Sequence, residues 1–324
     1  MRLARYVRGG ALRLAAIDDG ALIDLLEALG EGRGLRAAER ARLADMTAFI
    51  AGGKASLALA RRAIKASEAK GKGRRPLAKI KLKAPVSPGI VLCSGENYWD
   101  HREEKPQVTA KEPEFFIKIP ITGTIGPGEP ILLDPMVTKK LDYETELAIV
   151  IGKPGRHISK EKALDHVFGY TIMNDATARD RQVKLRPDGT AAYALGPGKN
   201  FDTCAPLGPM IVTRDEIPDP QSLALKTRVN GELRQNNSTA KMIWGVTELI
   251  HFFSTFLTLQ PGWVISTGTP GGTAWGTDKE LGGRFSNRTD IVAATAYLKP
   301  DDQVECEIEG IGVLRNPVAL WRAK

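Results

Sequence analysis

Hydrophobic residues recur with two different periods along the first quarter of the chain. Within residues 1–75, the stretch RLARYVRGGALRLAAIDDG contains two short alternating runs on either side of a Gly-Gly pair, which is typical of a β-hairpin. The stretches ALIDLLEALG and ADMTAFIAGGKASLALARRAIKAS then repeat apolar residues at helical spacing. The pattern predicts a small N-terminal α/β domain over residues 1–75.

The pattern changes from about residue 85 onward. Short apolar runs such as GIVLCSG, ELAIVIGK and GWVISTG alternate with clusters of Gly, Pro and Asp, and helical spacing returns only in SKEKALDHVFGY and MIWGVTELIHFFSTFLTL. Many short strands with few helices predict a β-rich α+β fold, a barrel or folded-over sheet, rather than a doubly wound nucleotide fold. We therefore predict a basic linker at residues 76–87 and a second, larger domain over residues 88–324, which would be the catalytic domain.

Composition narrows the class of protein. The 324 residues are 42% hydrophobic and 26% charged, as in soluble globular domains. No apolar run approaches the ~18 residues that a membrane helix needs, and MRLARYVRGG has no apolar signal core, so we expect a cytoplasmic protein without a membrane partner. Cys93, Cys204 and Cys306 lie far apart without a Cys-x-x-Cys pair, which favours buried thiols over disulfides or a zinc site.

The net charge of +8 is concentrated in one segment. Residues 65–85 hold eight Lys or Arg and one Glu, a net charge of +7, so the rest of the chain is almost balanced. The segment contains no aromatic residue on which a base could stack. We therefore favour a solvated linker over a nucleic-acid site, and the alternative, a binder of nucleic acid or acidic partners, predicts binding that weakens steeply with salt.

Three carboxyl groups follow the ends of two buried strands. In KKLDYETELAIVIGK, residues two apart share a strand face, so Glu144 and Glu146 point the same way at the mouth of an apolar run. In GYTIMNDATARD, Asp175 closes a second strand and could reach the same mouth. A hard divalent cation would relieve the repulsion between these groups. The alternative is a solvated strand end, with one Glu paired to Lys139 or Lys140.

One of only four histidines lies just beyond another apolar strand. In VLCSGENYWDHREEKP, His101 precedes Glu104 by one helical turn, a spacing that lets a carboxylate orient an imidazole. A general base held by a carboxylate is one interpretation. The alternative is a structural hydrogen bond, which is the more common role of a single histidine beside aromatic residues such as Tyr98 and Trp99.

Seven motifs in order resemble the fumarylacetoacetate hydrolase family. They are SGENYWDHREE, FFIKIPITG, LDYETELAIVIGK, GYTIMNDATARDRQ, GKNFDTCAPLGP, VNGELRQNNSTAKMIW and LQPGWVISTGTPGG, and they cover roughly residues 88–272. EIEGIGVLRNPV near the end fits as well. The resemblance implies a β-rich, barrel-like mixed sheet, a homodimer, and a divalent metal, most often Mg²⁺, with Mn²⁺ or Ca²⁺ as alternatives.

The resemblance also implies a role for each matching residue. The implied metal ligands are Glu144, Glu146 and Asp175. The implied catalytic residues are a water-activating pair, His101 and Glu104, and a lysine that stabilises an enolate, Lys199. The implied substrate contacts are Lys118, Arg179, Gln182 and Thr269.

These roles imply a metal-dependent hydrolase that cleaves a C–C bond in a small β-diketo acid of the acylpyruvate, fumarylpyruvate or fumarylacetoacetate type. The resemblance also implies a role in the catabolism of aromatic compounds. The alternative retains the metal site and changes the chemistry to that of an isomerase, decarboxylase or dehydratase acting on a related 2-oxo acid. In either case the expected partner is a small molecule and not nucleic acid.

Residues 271–297 depart from the family pattern. Family members connect the Gly-Thr-Pro loop, here residues 268–270, to the turn that is LKPDD here through a much shorter segment. Because Thr269 is an implied substrate contact, the added residues begin at the rim of the site. We predict that they narrow the mouth of the site or pack across the dimer, and that they select the substrate; the alternative is a surface loop without function.

Overall fold

A computed structural model describes residues 1–104, 111–188, 190–285 and 288–323. Its α-helices are α1 (Leu25–Ala28), α2 (Ala37–Arg42), α3 (Met46–Ala51), α4 (Gly53–Lys70), α5 (Trp99–Glu103), α6 (Pro120–Gly123), α7 (Arg179–Gln182), α8 (Leu195–Lys199) and α9 (Val246–Phe256). Short 3-10 helices span Leu77–Lys79, Lys160–His166, Arg214–Glu216, Thr239–Lys241 and Ala274–Thr277.

The strands are more numerous than the helices, as the sequence predicts. The first eleven are β1 (Arg2–Arg8), β2 (Ala11–Asp18), β3 (Ala21–Asp24), β4 (Arg74–Pro76), β5 (Leu82–Lys83), β6 (Val91–Gly95), β7 (Glu114–Lys118), β8 (Thr124–Ile125), β9 (Ile131–Leu133), β10 (Leu141–Asp142) and β11 (Thr145–Ile151). The others are β12 (Val167–Asn174), β13 (Thr177–Ala178), β14 (Val183–Leu185), β15 (Ala191–Tyr193), β16 (Ala205–Thr213), β17 (Ala224–Val229), β18 (Glu232–Ser238), β19 (Val264–Ser266), β20 (Gln303–Ile308) and β21 (Gly312–Leu320).

The N-terminal hairpin predicted from the sequence is confirmed. Strands β1 and β2 pair antiparallel from Arg2↔Ile17 to Arg8↔Ala11, around a turn in which Gly9 and Gly10 both have positive φ. That turn needs glycine because other residues are strained there. Helix α4, also predicted, buries Leu59 against the core.

One large sheet joins the N-terminal strands to the rest of the chain. Its main path runs β4-β3-β2-β1-β16-β12-β11-β19-β6-β7, and β1 pairs with β16 through Arg2↔Val212 and Leu3↔Ile211. The predicted linker contains β5, which pairs with β1. The division of the chain into two domains at this point stays a prediction.

The basic segment is partly neutralised by acidic neighbours. Arg75 pairs with Glu27 at 2.5 Å, and Arg74 lies 3.7 Å from Asp18. Lys83 pairs with Glu129 at 2.5 Å. Three of the basic residues therefore form ion pairs within the chain, so the run of positive charge does not by itself require an acidic partner molecule.

A second sheet packs against the large one and closes the core. It has the order β18-β17-β20-β21-β9, and side chains from β11, β12, β17 and β20 share one apolar cluster with helix α9. Alternate residues of β11, such as Ala148 and Val150, face a different cluster, which confirms that this strand is buried on both faces. The mixed α+β class is confirmed, but among the described residues the large sheet has two free ends and is not a closed barrel.

Other expectations from the sequence can be compared with the fold. Cys93, Cys204 and Cys306 are buried and unpaired to one another, as predicted. The helical spacing in SKEKALDHVFGY becomes a 3-10 helix, Lys160–His166, followed at once by β12. In the part of the chain that the structure describes, no helix is long and apolar enough to span a bilayer.

Candidate active site

Two neighbouring antiparallel strands bring three carboxyl groups together. Strands β11 and β12 pair with Thr145 opposite Asn174, so the beginning of one lies beside the end of the other. Backbone and side-chain bonds then join Asn174 and Asp175 to Glu144. One carboxylate oxygen from each of Glu144, Glu146 and Asp175 lies within 4.8 Å of the others, and all three residues are buried. The predicted cluster is therefore present.

Two of these carboxylates are held by buried cations. Glu144 accepts from Arg179 Nη2 at 2.5 Å and from Lys199 Nζ at 2.6 Å. The same Lys199 ammonium lies 2.7 Å from Asp175 Oδ2, and Lys118 bonds to the other oxygen of Asp175. The alternative pairing of Glu144 or Glu146 with Lys139 or Lys140 is wrong for Lys140, which instead binds Asp278 and Glu280 of the added segment.

The third carboxylate has a different environment. Among the described residues Glu146 has no ion-pair partner, and its Oε2 accepts from Ser266 Oγ at 2.5 Å and from the amide of Gly268 at 2.9 Å. Burial, followed by the charges of Asp175 and Glu144, holds the pKa of Glu146 well above its usual range. Burial would raise the pKa of Glu144 too, but Lys199 and Arg179 outweigh it and lower that pKa to about 2.

This donor set fits a hard divalent cation. Three carboxylates lie close together, the pKa values of Glu144 and Glu146 are shifted in opposite directions, and Glu146 forms no ion pair within the described chain. Oxygen donors of this kind suit Mg²⁺, Mn²⁺ or Ca²⁺, since a doubly charged ion relieves the repulsion that burial makes costly. The cluster can therefore hold a metal.

His101 and Glu104 form a buried pair at the other side of the cleft. Helix α5 begins four residues after β6 ends and places the two side chains one turn apart. His101 Nδ1 lies 3.0 Å from Glu104 Oε2, and Glu104 Oε1 accepts the amide of Gly272 at 2.6 Å. Burial is the main cause that raises the pKa of Glu104 to about 8. In its ionised form, Glu104 is a strong acceptor for an imidazole N–H.

The remaining predicted residues surround the same cleft. Those that line it are His101, Glu144, Glu146, Asp175, Arg179, Gln182, Lys199 and Thr269. Glu104 and Lys118 lie behind this lining, where each bonds to a residue that faces the cleft. Gln182 accepts from Arg179 Nη1 at 2.8 Å, and Thr269 donates to the Thr145 carbonyl at 3.0 Å. The structure brings all ten together, and their individual roles stay predictions.

Two residues that the sequence did not single out also belong to the site. Asp142 is fully buried and accepts hydrogen bonds from Arg179 Nε at 2.8 Å and from the amides of Ala274 and Trp275 at 3.0 Å each. Trp275 lines the cleft from the added segment. Asp142 could have been found from the sequence, because it lies two residues before Glu144 and so shares its strand face. Trp275 is revealed as a site residue only by the fold.

Comparison with known proteins places this geometry in a family. The sequence model of the family described as fumarylacetoacetate (FAA) hydrolase C-terminal matches residues 90–319. A mitochondrial oxaloacetate tautomerase of Homo sapiens is 40% identical over 274 residues, which are 84% of this chain and 79% of the relative.

Solved structures with similar folds carry related names. A fumarylacetoacetate hydrolase of Exiguobacterium antarcticum superposes with a TM-score of 0.75 at 33% identity, covering 99% of this chain and all of that one. A maleylpyruvate hydrolase of Sphingobium sp. SYK-6, solved with manganese(II) and pyruvate, has a TM-score of 0.70 at 28% identity, with coverage of 99% and 100%. The match of the family model over more than two thirds of the sequence leads to the conclusion that this chain belongs to the fumarylacetoacetate hydrolase family.

Proposed function

We propose that this protein is a tautomerase that interconverts the enol and keto forms of oxaloacetate or a close 2-oxo dicarboxylic acid. The observation that carries the proposal is the placement of the buried His101–Glu104 pair and the three-carboxylate cluster around one cleft. The human relative, 40% identical over 84% of this chain, is named for this reaction. Among the alternatives considered from sequence, this is the isomerase class rather than the hydrolase class.

Glu144, Glu146 and Asp175 would hold the divalent cation, Mg²⁺ in the first instance, with Mn²⁺ present in the maleylpyruvate hydrolase relative. A cation there supplies Lewis-acid polarisation of the substrate oxygens. Lys199 adds a positive charge beside Glu144 and Asp175, where it favours the negative charge that develops on an enolate oxygen. Arg179 already donates from three nitrogens to protein oxygens. Its proposed role is therefore to hold the side chains of the cleft in position as well as to contact the substrate.

The proton transfer needs only the residues of this site. In the direction from enol to ketone, His101 takes the proton of the hydroxyl on carbon two while the double bond moves from carbon–carbon to carbon–oxygen. The imidazolium then returns a proton to carbon three, so that atoms and charge balance without water. Glu104 accepts from Nδ1 and stabilises the imidazolium between the two transfers.

The second candidate is the C–C hydrolase predicted from the sequence. The Exiguobacterium and Sphingobium relatives carry hydrolase names, and the same His101–Glu104 pair would take a proton from water. Hydroxide would add to the distal carbonyl, and the electron pair of the broken C–C bond would remain on the carbon that becomes an enolate. That reaction differs from tautomerisation in requiring an attacking water.

The experiment that tests the proposal compares the two reactions in one preparation. Enol oxaloacetate is added to the purified protein with Mg²⁺, and the loss of the near-ultraviolet absorbance of the conjugated enol is followed against Mg²⁺ alone. A panel of acylpyruvates is assayed for cleavage in parallel. Accelerated enol decay without cleavage supports the tautomerase, whereas cleavage without an effect on the enol supports the hydrolase. Release of carbon dioxide from oxaloacetate would instead identify a decarboxylase.

Homodimer formation and a cytoplasmic location are proposed only from the sequence and the family. The homodimer is tested by light scattering of the purified chain, for which a monomer mass would be the contrary result. The intramolecular partners of Arg74, Arg75 and Lys83 support a small molecule, rather than nucleic acid, as the partner.

A further inference from the structure

The added segment contributes an inner wall to the cleft. We call residues 272–284 the wall segment. Its first amide, on Gly272, donates to Glu104 Oε1 at 2.6 Å, and the amide of Arg284 near its end donates to the carbonyl of Glu104 at 2.8 Å. Both ends are therefore fastened to the residue that orients His101. A surface loop without function would not be joined to the site in this way.

A second buried carboxylate fastens the middle of the wall segment. Asp142 receives the amides of Ala274 and Trp275, one on each oxygen, and also receives Arg179 Nε. A single side chain thus fixes the position of Trp275 and of a proposed substrate contact. Buried carboxylates with three charge-assisted or amide donors are rigid anchors, since each lost bond leaves a desolvated group.

Glycines allow the wall segment to approach so closely. A Cβ atom added to Gly276 would lie 2.8 Å from Glu104 Oε1, and one added to Gly283 would lie 1.9 Å from the Trp275 carbonyl. On the outer side, Asp278 accepts from Lys140 Nζ at 2.7 Å and from the Tyr297 hydroxyl at 2.6 Å. The segment is packed on both sides, so its position relative to the cleft is set by many contacts.

The side chain that this packing presents to the cleft is an indole. Trp275 is 1% exposed and lines the cleft. Its ring lies edge-on to His101, with 6.2 Å between ring centroids, and 5.3 Å from the guanidinium carbon of Arg179. Its Nε1 donates to the Leu281 carbonyl at 3.0 Å, inside the wall segment, so the ring is held from behind. The ring occupies space between a proposed catalytic residue and a proposed substrate contact.

We infer that Trp275 is a specificity-determining residue that limits the length of the substrate, so that the site takes short 2-oxo acids and rejects longer acylpyruvates. This inference rests on the proposed function for its substrate class, and on the contacts of Trp275 for its mechanism. Asp142 holds the backbone amide of Trp275 and the Leu281 carbonyl holds the indole Nε1, so the ring cannot move aside for a longer chain without breaking the hydrogen bond to Leu281. A smaller residue would leave that volume to the substrate.

The test measures ligand binding as well as turnover. Wild type, Trp275→Ala and Trp275→Leu are titrated calorimetrically, with Mg²⁺ present, against oxalate as a short ligand and 2-oxoadipate as a long one. Both variants are expected to improve the affinity for 2-oxoadipate relative to oxalate by at least about tenfold, the scale set by one or two methylenes in a fitted pocket. Trp321→Leu, which removes a partly exposed tryptophan outside the cleft lining, should leave the ratio unchanged.

The contrary result is an unchanged ratio, or an equal loss of both affinities, in variants that thermal unfolding shows to be folded. Trp275→Phe extends the same test, with the same expected direction, where the smaller residues lower the melting temperature too far. Turnover of enol oxaloacetate is measured on the same samples. A shifted binding ratio in a protein without tautomerase activity would refute the proposed function and support the role of Trp275 in limiting ligand length. Tautomerase activity with an unshifted ratio would support the proposed function and refute that role of Trp275.

Discussion

The Nδ1 atom of His101 lies 3.0 Å from Oε2 of Glu104, and both side chains are almost fully buried. His101 also lines the cleft, so the imidazole lies between the Glu104 carboxyl group and the space that a substrate would occupy. When Glu104 is ionised, it selects the tautomer with a proton on Nδ1 and stabilises the imidazolium. The pair can therefore transfer protons. Neither residue belongs to the carboxylate cluster that could bind a metal, so the two groups have separate roles.

His101→Ala should remove proton transfer and leave ligand binding in place. We expect the rate of enol oxaloacetate conversion to fall by at least ~10², the usual contribution of a positioned general base. Calorimetric binding of Mg²⁺ and oxalate should stay close to wild type. The matched control is His157→Asn, since His157 is exposed and has a positive φ that asparagine tolerates. Turnover that survives in His101→Ala would make the histidine structural.

Glu146→Gln should abolish metal binding and stabilise the metal-free protein. The amide oxygen of glutamine can still accept from Ser266 and Gly268, while the repulsion from Glu144 and Asp175 is lost. Without metal, we expect a higher melting temperature than that of wild type. With Mg²⁺, wild type should gain stability and the variant should not.

The control for the metal experiment is Glu280→Gln, because Glu280 is largely exposed and lies in the wall segment. It should bind Mg²⁺ as wild type does. Retained calorimetric Mg²⁺ binding by Glu146→Gln would remove this residue from the ligand set. A lower melting temperature of the metal-free variant would argue against like-charge repulsion in the cluster.

Glu104 should make the stability of the protein depend on pH. Burial raises its pKa from 4.5 to about 8 in the folded state, so between these values the folded protein binds more protons than the unfolded chain. The contribution is fully present below pH 4.5 and is lost as the pH rises through 8, with a total on the order of several kcal/mol. Glu104→Gln removes it.

The measurement is urea unfolding of wild type and Glu104→Gln from pH 5 to about 8.5. The free energy of unfolding of the variant, relative to wild type, should increase with pH across this range. The exposed neighbour Glu103 provides the control, since Glu103→Gln should shift the curves equally at every pH. A difference between Glu104→Gln and wild type that does not vary with pH would contradict the raised pKa.

Asp142→Asn should destabilise the wall segment and the whole fold. Asparagine replaces one acceptor oxygen with an N–H donor that would face the donors of Arg179 or of the amides of the wall segment. We expect a loss on the order of 3 kcal/mol in urea unfolding, because the guanidinium of Arg179 remains buried with one fewer anion. Asp165→Asn, at an exposed position, should change stability by less than about 0.5 kcal/mol. An equal effect of both would contradict the anchoring role.

The sequence alone determined the elements whose information is local. Period-two spacing put Glu144 and Glu146 on one face of a strand, and the apolar run behind them predicted the burial of β11 on both faces. Helical spacing put His101 and Glu104 one turn apart, which the structure confirms as a contact of 3.0 Å. These relationships depend on residues close in the chain, so the backbone geometry of a strand or a helix is enough to predict them.

The tertiary structure decided which distant charges neutralise the cluster and what closes the cleft. Lys199 and Arg179 pair with Glu144 from other elements, whereas the sequence suggested Lys139 or Lys140 as the alternative partners. Trp275 lies edge-on to His101, and its amide is bound by Asp142, more than a hundred residues earlier in the chain. No local period encodes such contacts, because they depend on strand register and on packing between elements brought together only in the folded chain.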